Sequence, residues 1–287
     1  MCLVLTPLVL EITQRLQRNP VPYLLAVAMA ANIGGVATIT GNPQNMMIGS
    51  FSHIPYRAFT AALAPVAAAG LLLTVIVIAL VYSREFREEK ALTIEHAAPE
   101  IDRVLLWKSL AVSAAMVLFF FAGWPVPKVA VIAGALLLVT RRINPENVYR
   151  EIDWGLLVLF IGLFIVIAGL EKTGLPEDLF AAASQHHLDR TAPLSAFTAI
   201  LSNLVSNVPA VLVFKGFVPH LRDAAHAWLV LAMSSTLAGN LTVLGSVANL
   251  IVIQKARNTV RISFWEYAKS GAPLTVATIA LGAWMLG

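Results

Sequence analysis

The pattern G-x-x-T-x-x-G-x-x-x-N occurs twice in this chain, 204 positions apart and without a gap. The first copy reads Gly35-Val-Ala-Thr38-Ile-Thr-Gly41-Asn42-Pro43-Gln44-Asn45, and the second Gly239-Asn-Leu-Thr242-Val-Leu-Gly245-Ser246-Val-Ala-Asn249. Both lie inside long uncharged stretches, where polar and helix-breaking residues are tolerated only if they line a cavity or pack within protein. A glycine-broken polar segment duplicated within an apolar chain is the mark of a transporter with internal repeats.

Composition supports the membrane setting. Hydrophobic residues make up 58% and charged residues 13%, where a soluble domain carries about 25% charged. Uncharged runs cover Asn19–Ser52, Ala58–Ser83, Ser109–Pro127, Trp154–Leu170, Thr191–Phe214, Ala227–Gln254 and Ser270–Gly287. Most reach the ~17–25 residues that cross a bilayer as a helix. The net charge of +4 does not indicate nucleic acid, because the basic residues are sorted by side. With Met1–Gln14 returning to the cytoplasm, 14 Lys and Arg fall on one side of the expected topology and 6 on the other. That is the positive-inside bias. Cys2 is the single cysteine, which excludes a disulfide framework or a cysteine metal site. The His residues, His186-His187 included, lie in or beside expected loops and supply no third metal ligand. Met1–Leu10 lacks a basic leader and a cleavage site, so it does not read as a signal peptide.

Along the chain, Met1–Gln14 is too short to span and reads as one arm of a re-entrant hairpin. Asn19–Ser52 reads as helix, unwound loop over roughly 34–45, then half-helix. Tyr56–Tyr82 is a span. The polar stretch 84–102 is the expected cytoplasmic linker between a first part, 1–83, and a second repeat, 103–287. In that second part, spans at Lys108–Gly123, Lys128–Thr140 and Asp153–Gly169 precede an amphipathic stretch over Leu175–Leu188. Thr191–Val218 is apolar except for Ser202-Asn203 and Ser206-Asn207-Val208-Pro209, and reads as a hairpin with its tip near Ser206–Pro209. The broken helix within His226–Gln254 and a terminal span, Gly271–Gly287, follow.

Four crossings plus the broken helix itself make five steps between the two motif copies, an odd number, so the copies are expected to run in opposite directions, as an inverted repeat. Matching the halves at the same offset places the counterpart of about a hundred residues of the second repeat upstream of Met1. The reading frame is therefore expected to continue upstream with apolar spans and a Ser- or Asn-containing hairpin tip. The fold expected is an all-α polytopic membrane protein, an inverted-repeat transporter with broken helices and re-entrant hairpins.

Broken helices and hairpin tips at mid-membrane suit an ionic ligand. Half-helix N-termini offer free N–H groups and a positive dipole end to an anion. Unwound carbonyls with Ser, Thr and Asn oxygens suit Na⁺. Glycines at 34, 35, 41, 239 and 245 are expected to bring backbone to the ligand and to take conformations closed to other residues. The candidate substrate and ion contacts are Thr38, Gly41, Asn42, Asn45, Ser206, Asn207, Thr242, Gly245, Ser246 and Asn249. None of the two breaks or the hairpin tip contains Asp, Glu, Lys or Arg. Intramembrane carboxylates mark proton relays, so proton antiport finds no carrier here.

The stretch Asn32-Ile-Gly-Gly-Val-Ala-Thr38-Ile-Thr-Gly41-Asn42-Pro43-Gln44-Asn45 resembles the NIGG-x-AT-x-x-G-[DNT]-P-x-N signature of the ion transporter superfamily. That superfamily includes divalent anion:sodium symporters, citrate-transporter-like permeases, arsenite efflux pumps and one class of sodium/proton antiporters. Ser206-Asn207-Val208-Pro209 resembles its outer hairpin tip, Ser235–Val252 its second broken helix, and Met1–Pro7 the arm after its inner hairpin tip. Position 42 is Asn and position 206 is Ser where the arsenite and sodium/proton branches carry Asp. The resemblance therefore implies the anion-permease branch: a secondary transporter of a dicarboxylate-, citrate- or sulfate-like anion, coupled to Na⁺, in a prokaryotic plasma membrane. It implies no enzyme activity and no cofactor beyond a coupling ion, with a small anion, membrane lipid and a second copy as partners. The alternatives are an arsenite-type efflux permease, or a permease fragment that transports nothing.

Overall fold

The computed structural model describes residues 1–87, 102–139, 146, 150, 152, 154–173 and 187–287. Expectations for most of the 84–102 linker, for Arg141-Arg142, for His96 and His186, and for most of the amphipathic stretch 175–188 lie outside the described residues. Every described regular element is helical, as expected of an all-α polytopic membrane protein.

The helices are α1 (Cys2–Arg15), α2 (Pro20–Val36), α3 (Pro43–Ser52), α4 (Tyr56–Val81), α5 (Ser83–Arg87), α6 (Arg103–Phe121), α7 (Val126–Leu138) and α8 (Trp154–Glu171). They continue as α9 (Thr191–Val205), α10 (Asn207–Phe214), α11 (Ala224–Ala238), α12 (Val247–Ala256) and α13 (Phe264–Leu286). Starts are set locally. Asn19 accepts from the Val21 amide before α2, with Pro20 at its first position. Asp102, Asp223 and Ser263 cap α6, α11 and α13 in the same way. Single short 3₁₀ turns, Ile39–Gly41 and Val243–Gly245, lie between α2 and α3 and between α11 and α12.

Two compact units are present. One holds Met1–Ile54, Ala58–Thr93 and Ile167–Gly287, and the other Pro55–Arg57 and Ile94–Val166. Both copies of the duplicated motif lie in the first unit.

In that first unit, α11 is the central helix. Its residues from Val230 to Ala238 are all buried, polar and apolar alike, as befits a helix apolar on every side. It packs on α2, α3, α9, α10 and α13. The element pairs repeat at the motif offset. α3 and α12 are 204 residues apart at both ends, and so are the two 3₁₀ turns and the starts of α2 and α11. α1 packs on α2 and α12, while α10 packs on α11 and α3; α12 packs on α2, and α3 on α11. Each contact thus has a counterpart with the roles of the two halves exchanged. Cys2, Leu24, Ala28, Val252 and Ala256 form the apolar core between α1, α2 and α12. At the far end of α3, Phe51 stacks obliquely on Trp228 at 6.1 Å, with Lys215 Nζ 5.6 Å from its ring centre.

The outward side of the same unit is apolar: Leu72, Val75 and Leu80 on α4 are each more than 60% exposed. In the second unit, α6 and α7 pack as an antiparallel pair closed by Gly123 at φ 88°, and Trp107 and Leu118 stand outward. Water would penalise such continuous apolar surface; a bilayer does not. Among the described residues, α4 and α6 are each long and apolar enough to cross a bilayer unaided. Hydroxyls on the spans are returned to their own backbone, as with Thr74 on Gly70 and Thr278 on Leu274.

Three expectations change in detail. The first helix break is shorter than 34–45: α2 stays helical to Val36 and α3 restarts at Pro43. Gly34 and Gly35 belong to the first helix and Asn45 to the next. The hairpin break is likewise a single residue, Ser206, with Pro209 accommodated in the first turn of α10. Finally, the start of the 84–102 stretch is helical, as α5, and its Glu85 is held by Arg18.

Candidate functional site

Both motif copies fold in the same way, for reasons visible in their residues. Thr38 (φ −138°, ψ 154°) and Thr242 (φ −131°, ψ 160°) are extended residues that end the helix and lead into the 3₁₀ turn. Asn42 and Ser246 are extended again and cap the next helix. The Asn42 Oδ1 accepts from the Asn45 amide at 2.8 Å, and Ser246 Oγ from the Ala248 amide at 3.2 Å.

The last residue of the motif closes the break. Asn45 Nδ2 donates to the carbonyls of Gly35 and Thr38, each at 3.0 Å. Asn249 Nδ2 donates to those of Gly239 and Thr242, at 2.8 and 3.0 Å. The Thr38 and Thr242 carbonyls also accept from the amides of Gly41 and Gly245, each at 3.1 Å, whereas those of Gly35 and Gly239 lie at the helix end, where a buried carbonyl left unpaired would cost about 1–3 kcal/mol. Asn45 and Asn249 are both fully buried. Their amide nitrogens are thus committed to the backbone they bridge.

The motif glycines act through close approach rather than through unusual dihedrals. None of Gly34, Gly35, Gly41, Gly239 or Gly245 has positive φ, which corrects the expectation of conformations closed to other residues. A Cβ on Gly245 would lie 2.8 Å from the Gly239 carbonyl oxygen, and one on Gly41 would run into that of Gly35. The 3₁₀ turn passes directly over the preceding helix end, and only glycine fits the crossing. Gly34 meets nothing within 4 Å.

The two copies also reach into each other. Asn32 on α2 donates to Asn240 Oδ1 at 2.8 Å and Asn249 Oδ1 at 3.0 Å, and accepts from Ser246 Oγ at 2.7 Å. The residue 204 positions on from Asn32 is Thr236. Thr236 Oγ1 accepts from Asn42 Nδ2 at 3.1 Å and from Gln44 Nε2 at 3.2 Å. Each capping residue therefore touches the opposite copy's helix, and the exchange is reciprocal.

The hairpin tip joins one side of this network. Ser206 is exposed and has φ 78°, ψ 160°, a region that costs a non-glycine residue about 1–3 kcal/mol. The buried Asn207 amide is assigned with its nitrogen inward, the orientation in which it donates to Ser235 O at 3.1 Å, Ser202 Oγ at 2.6 Å and Gly245 O at 3.3 Å. Ser202 Oγ passes the bond on to Ser235 O at 3.2 Å.

Of the ten predicted contacts, the structure brings Asn207 to Gly245 and places Asn42 and Ser246 in the network between copies. Among the described residues the hydroxyls of Thr38 and Thr242, both half-buried, bond to none of the other predicted residues. Gly41 is exposed whereas Gly245 is buried. Sequence reasoning missed Asn32, Gln44, Ser202, Ser235, Thr236 and Asn240 as network members. The signal that could have found the first and fifth was the same offset, which pairs a buried Asn with a buried Thr. No titratable side chain lies between residues 32 and 45, 202 and 209, or 235 and 249. The polarity of the site comes from amides, hydroxyls and backbone, and does not depend on pH.

Comparison with known proteins places the chain among membrane transporters. A family model described as Citrate transporter matches residues 1–238. The chain is similar to the silicon efflux transporter of rice, Oryza sativa subsp. japonica, with 29% identity over all of this chain and 74% of the relative. An uncharacterized transporter of Mycobacterium tuberculosis is 31% identical over 98% of this chain and 70% of its own length. A 46 kDa membrane protein of Mycobacterium leprae is 30% identical over 97% and 70%.

Proposed function

Because the chain belongs to the citrate transporter family, we propose that this multi-pass membrane transporter moves a small dicarboxylate-, citrate- or sulfate-like anion, coupled to Na⁺, across a prokaryotic plasma membrane. The observation that carries the reading is the reciprocal network in which Asn32 meets Ser246 and Thr236 meets Asn42. Contacts that recur with the roles exchanged are those of a two-fold relation rather than a translation. They support reading the halves as an inverted repeat, with the two breaks as facing half-sites and the site opening alternately to either side.

In this reading Asn45 and Asn249 hold the breaks, and the contacts to substrate come from groups left available: the Thr38 and Thr242 hydroxyls, the exposed backbone at Gly41, and Ser206 at the hairpin tip. The amide ends of α3, α10 and α12 offer N–H groups to the anion. Asn42, Ser246, Asn207 and Gly245 shape the site through the network around it. Na⁺ offsets the substrate's charge in place of the basic residue that neither break contains.

A second reading, outward transport of an inorganic oxyacid of the arsenite type, is favoured by the match of the whole chain to a silicon efflux transporter. Proteoliposome uptake of citrate, succinate, sulfate and arsenite, with and without a Na⁺ gradient, separates the two. Saturable Na⁺-dependent uptake of an organic anion or sulfate is the expected result. Arsenite movement indifferent to Na⁺ would establish the second reading instead.

A further inference from the structure

Where α4 gives way to α5, the first unit carries a polar hollow far in sequence from both breaks. Asn19, Val81, Tyr82, Ser83, Arg84 and Glu85 line it, and its volume is about 390 Å³. The carboxylates at this end are already answered. Glu85 faces Arg18 at 3.7 Å, and its backbone carbonyl accepts from the same guanidinium at 2.6 Å. Glu266 on α13 accepts from the Tyr82 hydroxyl and from Lys269 Nζ, each at 2.8 Å. Arg84 has no acceptor among the described residues, and neither has the Ser83 hydroxyl nor the Asn19 amide nitrogen. The lining therefore offers hydrogen-bond donors and one uncompensated positive charge, a combination that suits an anion. A guanidinium on such a lining is matched to phosphate, which it can meet through two parallel hydrogen bonds.

The surroundings choose the anion. The hollow lies at the end of a helix long and apolar enough to cross a bilayer, on the side where the expected topology gathers the basic residues. Leading to it, α4 turns Leu72, Val75, Ile76 and Leu80 outward, each at least 51% exposed, and Val81 on the lining continues that apolar face. A free anion makes no use of such a face. A phospholipid lays its acyl chains along it and sets its headgroup at the end, where basic pockets between spanning helices hold anionic lipids. We infer that the hollow binds the phosphate headgroup of one anionic phospholipid, with Arg84 as the charged contact, Ser83 and Asn19 as further donors, and the acyl chains along α4. Asn19 caps α2, the helix that leads to the first break, whereas Ser83 and Arg84 open α5. The bound lipid therefore fastens the start of the first broken helix to the end of α4, beside the bond from Arg18 to Glu85 that already joins them.

The test is native mass spectrometry of the purified full chain in detergent, titrated with dioleoylphosphatidylglycerol or with dioleoylphosphatidylcholine. One phosphatidylglycerol per chain is expected to be held in preference to phosphatidylcholine. Arg84→Gln is expected to lower that affinity about tenfold, because a charge-assisted bond to phosphate is lost. Arg261→Gln, at an exposed basic residue on the same expected side but outside the hollow, is expected to leave it unchanged. Inorganic phosphate is expected not to displace the lipid. Folding of each variant is checked by gel filtration and thermal melting; if Arg84→Gln does not fold, the wild-type preference and the phosphate competition still decide. Equal retention of the two lipids would overturn the inference, and so would a folded Arg84→Gln with unchanged affinity. Equal losses in Arg84→Gln and Arg261→Gln would overturn it by reducing the attraction to overall charge. Displacement by inorganic phosphate would overturn it in favour of a site for a free anion. None of these outcomes touches the transport reading, since no substrate enters the measurement.

Discussion

The two broken-helix segments have the same backbone and different surroundings. Thr38 and Thr242, Asn42 and Ser246, Asn45 and Asn249 take matching positions and dihedrals, and each final Asn bridges the same pair of carbonyls. What differs is what meets them. The second copy is covered: Gly245 is buried beneath Asn207, and Asn249 is bonded through both ends of its amide. At the first, Gly41 is exposed and Asn45 Oδ1 has no partner among the described residues. Residues that recur in sequence thus secure the break itself, and residues that do not recur, Asn32 against Thr236, decide how each break is used.

The comparison is sharpened most by removing the two clasps. Asn249→Ala loses two backbone carbonyl bonds and the Asn32 bond, and is expected to cost about 3–4 kcal/mol. Asn45→Ala loses the carbonyl bonds but no partner at Oδ1, and should cost less by about 1 kcal/mol. Thermal denaturation in detergent, compared at one condition for both, checks the ordering. Equal costs would break the asymmetry.

Next come the glycine crossings. Gly41→Ala must displace the Gly35 carbonyl outright, whereas Gly245→Ala meets the Gly239 carbonyl at 2.8 Å. Both are expected to destabilise by about 1–3 kcal/mol, with Gly41→Ala the worse. A larger loss at Gly245, read by the same melts, would mean that cover by the hairpin outweighs the tightness of the crossing.

A smaller effect of opposite sign is expected at the tip. Ser206→Gly relieves a φ of 78° and should raise stability by about 1 kcal/mol, while lowering anion affinity in the uptake assay if the hydroxyl touches substrate. The smallest change in stability is expected for Thr38→Val and Thr242→Val, within about 0.5 kcal/mol. Uptake should nonetheless fall at least tenfold in Thr38→Val; a wild-type rate would remove that hydroxyl from the site.

Much of this was readable in advance. The apolar runs, Pro43 after the first break, Pro209 at the hairpin tip and the offset between copies are local or periodic signals. They located the breaks and the hairpin tip to within a few residues. The first break is shorter at both ends than the expected 34–45, because Gly34, Gly35 and Asn45 are helical. Asn45 is a helical residue whose side chain reaches back to the break.

The family supports the coarse reading, a membrane transporter, and the substrate and coupling ion rest on the proposals above. Sequence alone determined that this chain is a membrane protein with a duplicated, carboxylate-free polar motif, because hydropathy, charge and spacing are properties of the chain itself. Only the tertiary structure decided which partners the two final Asn side chains meet. Whether a buried oxygen is paired depends on a side chain more than 190 residues away, such as Thr236 against Asn42, and no local pattern records that partner.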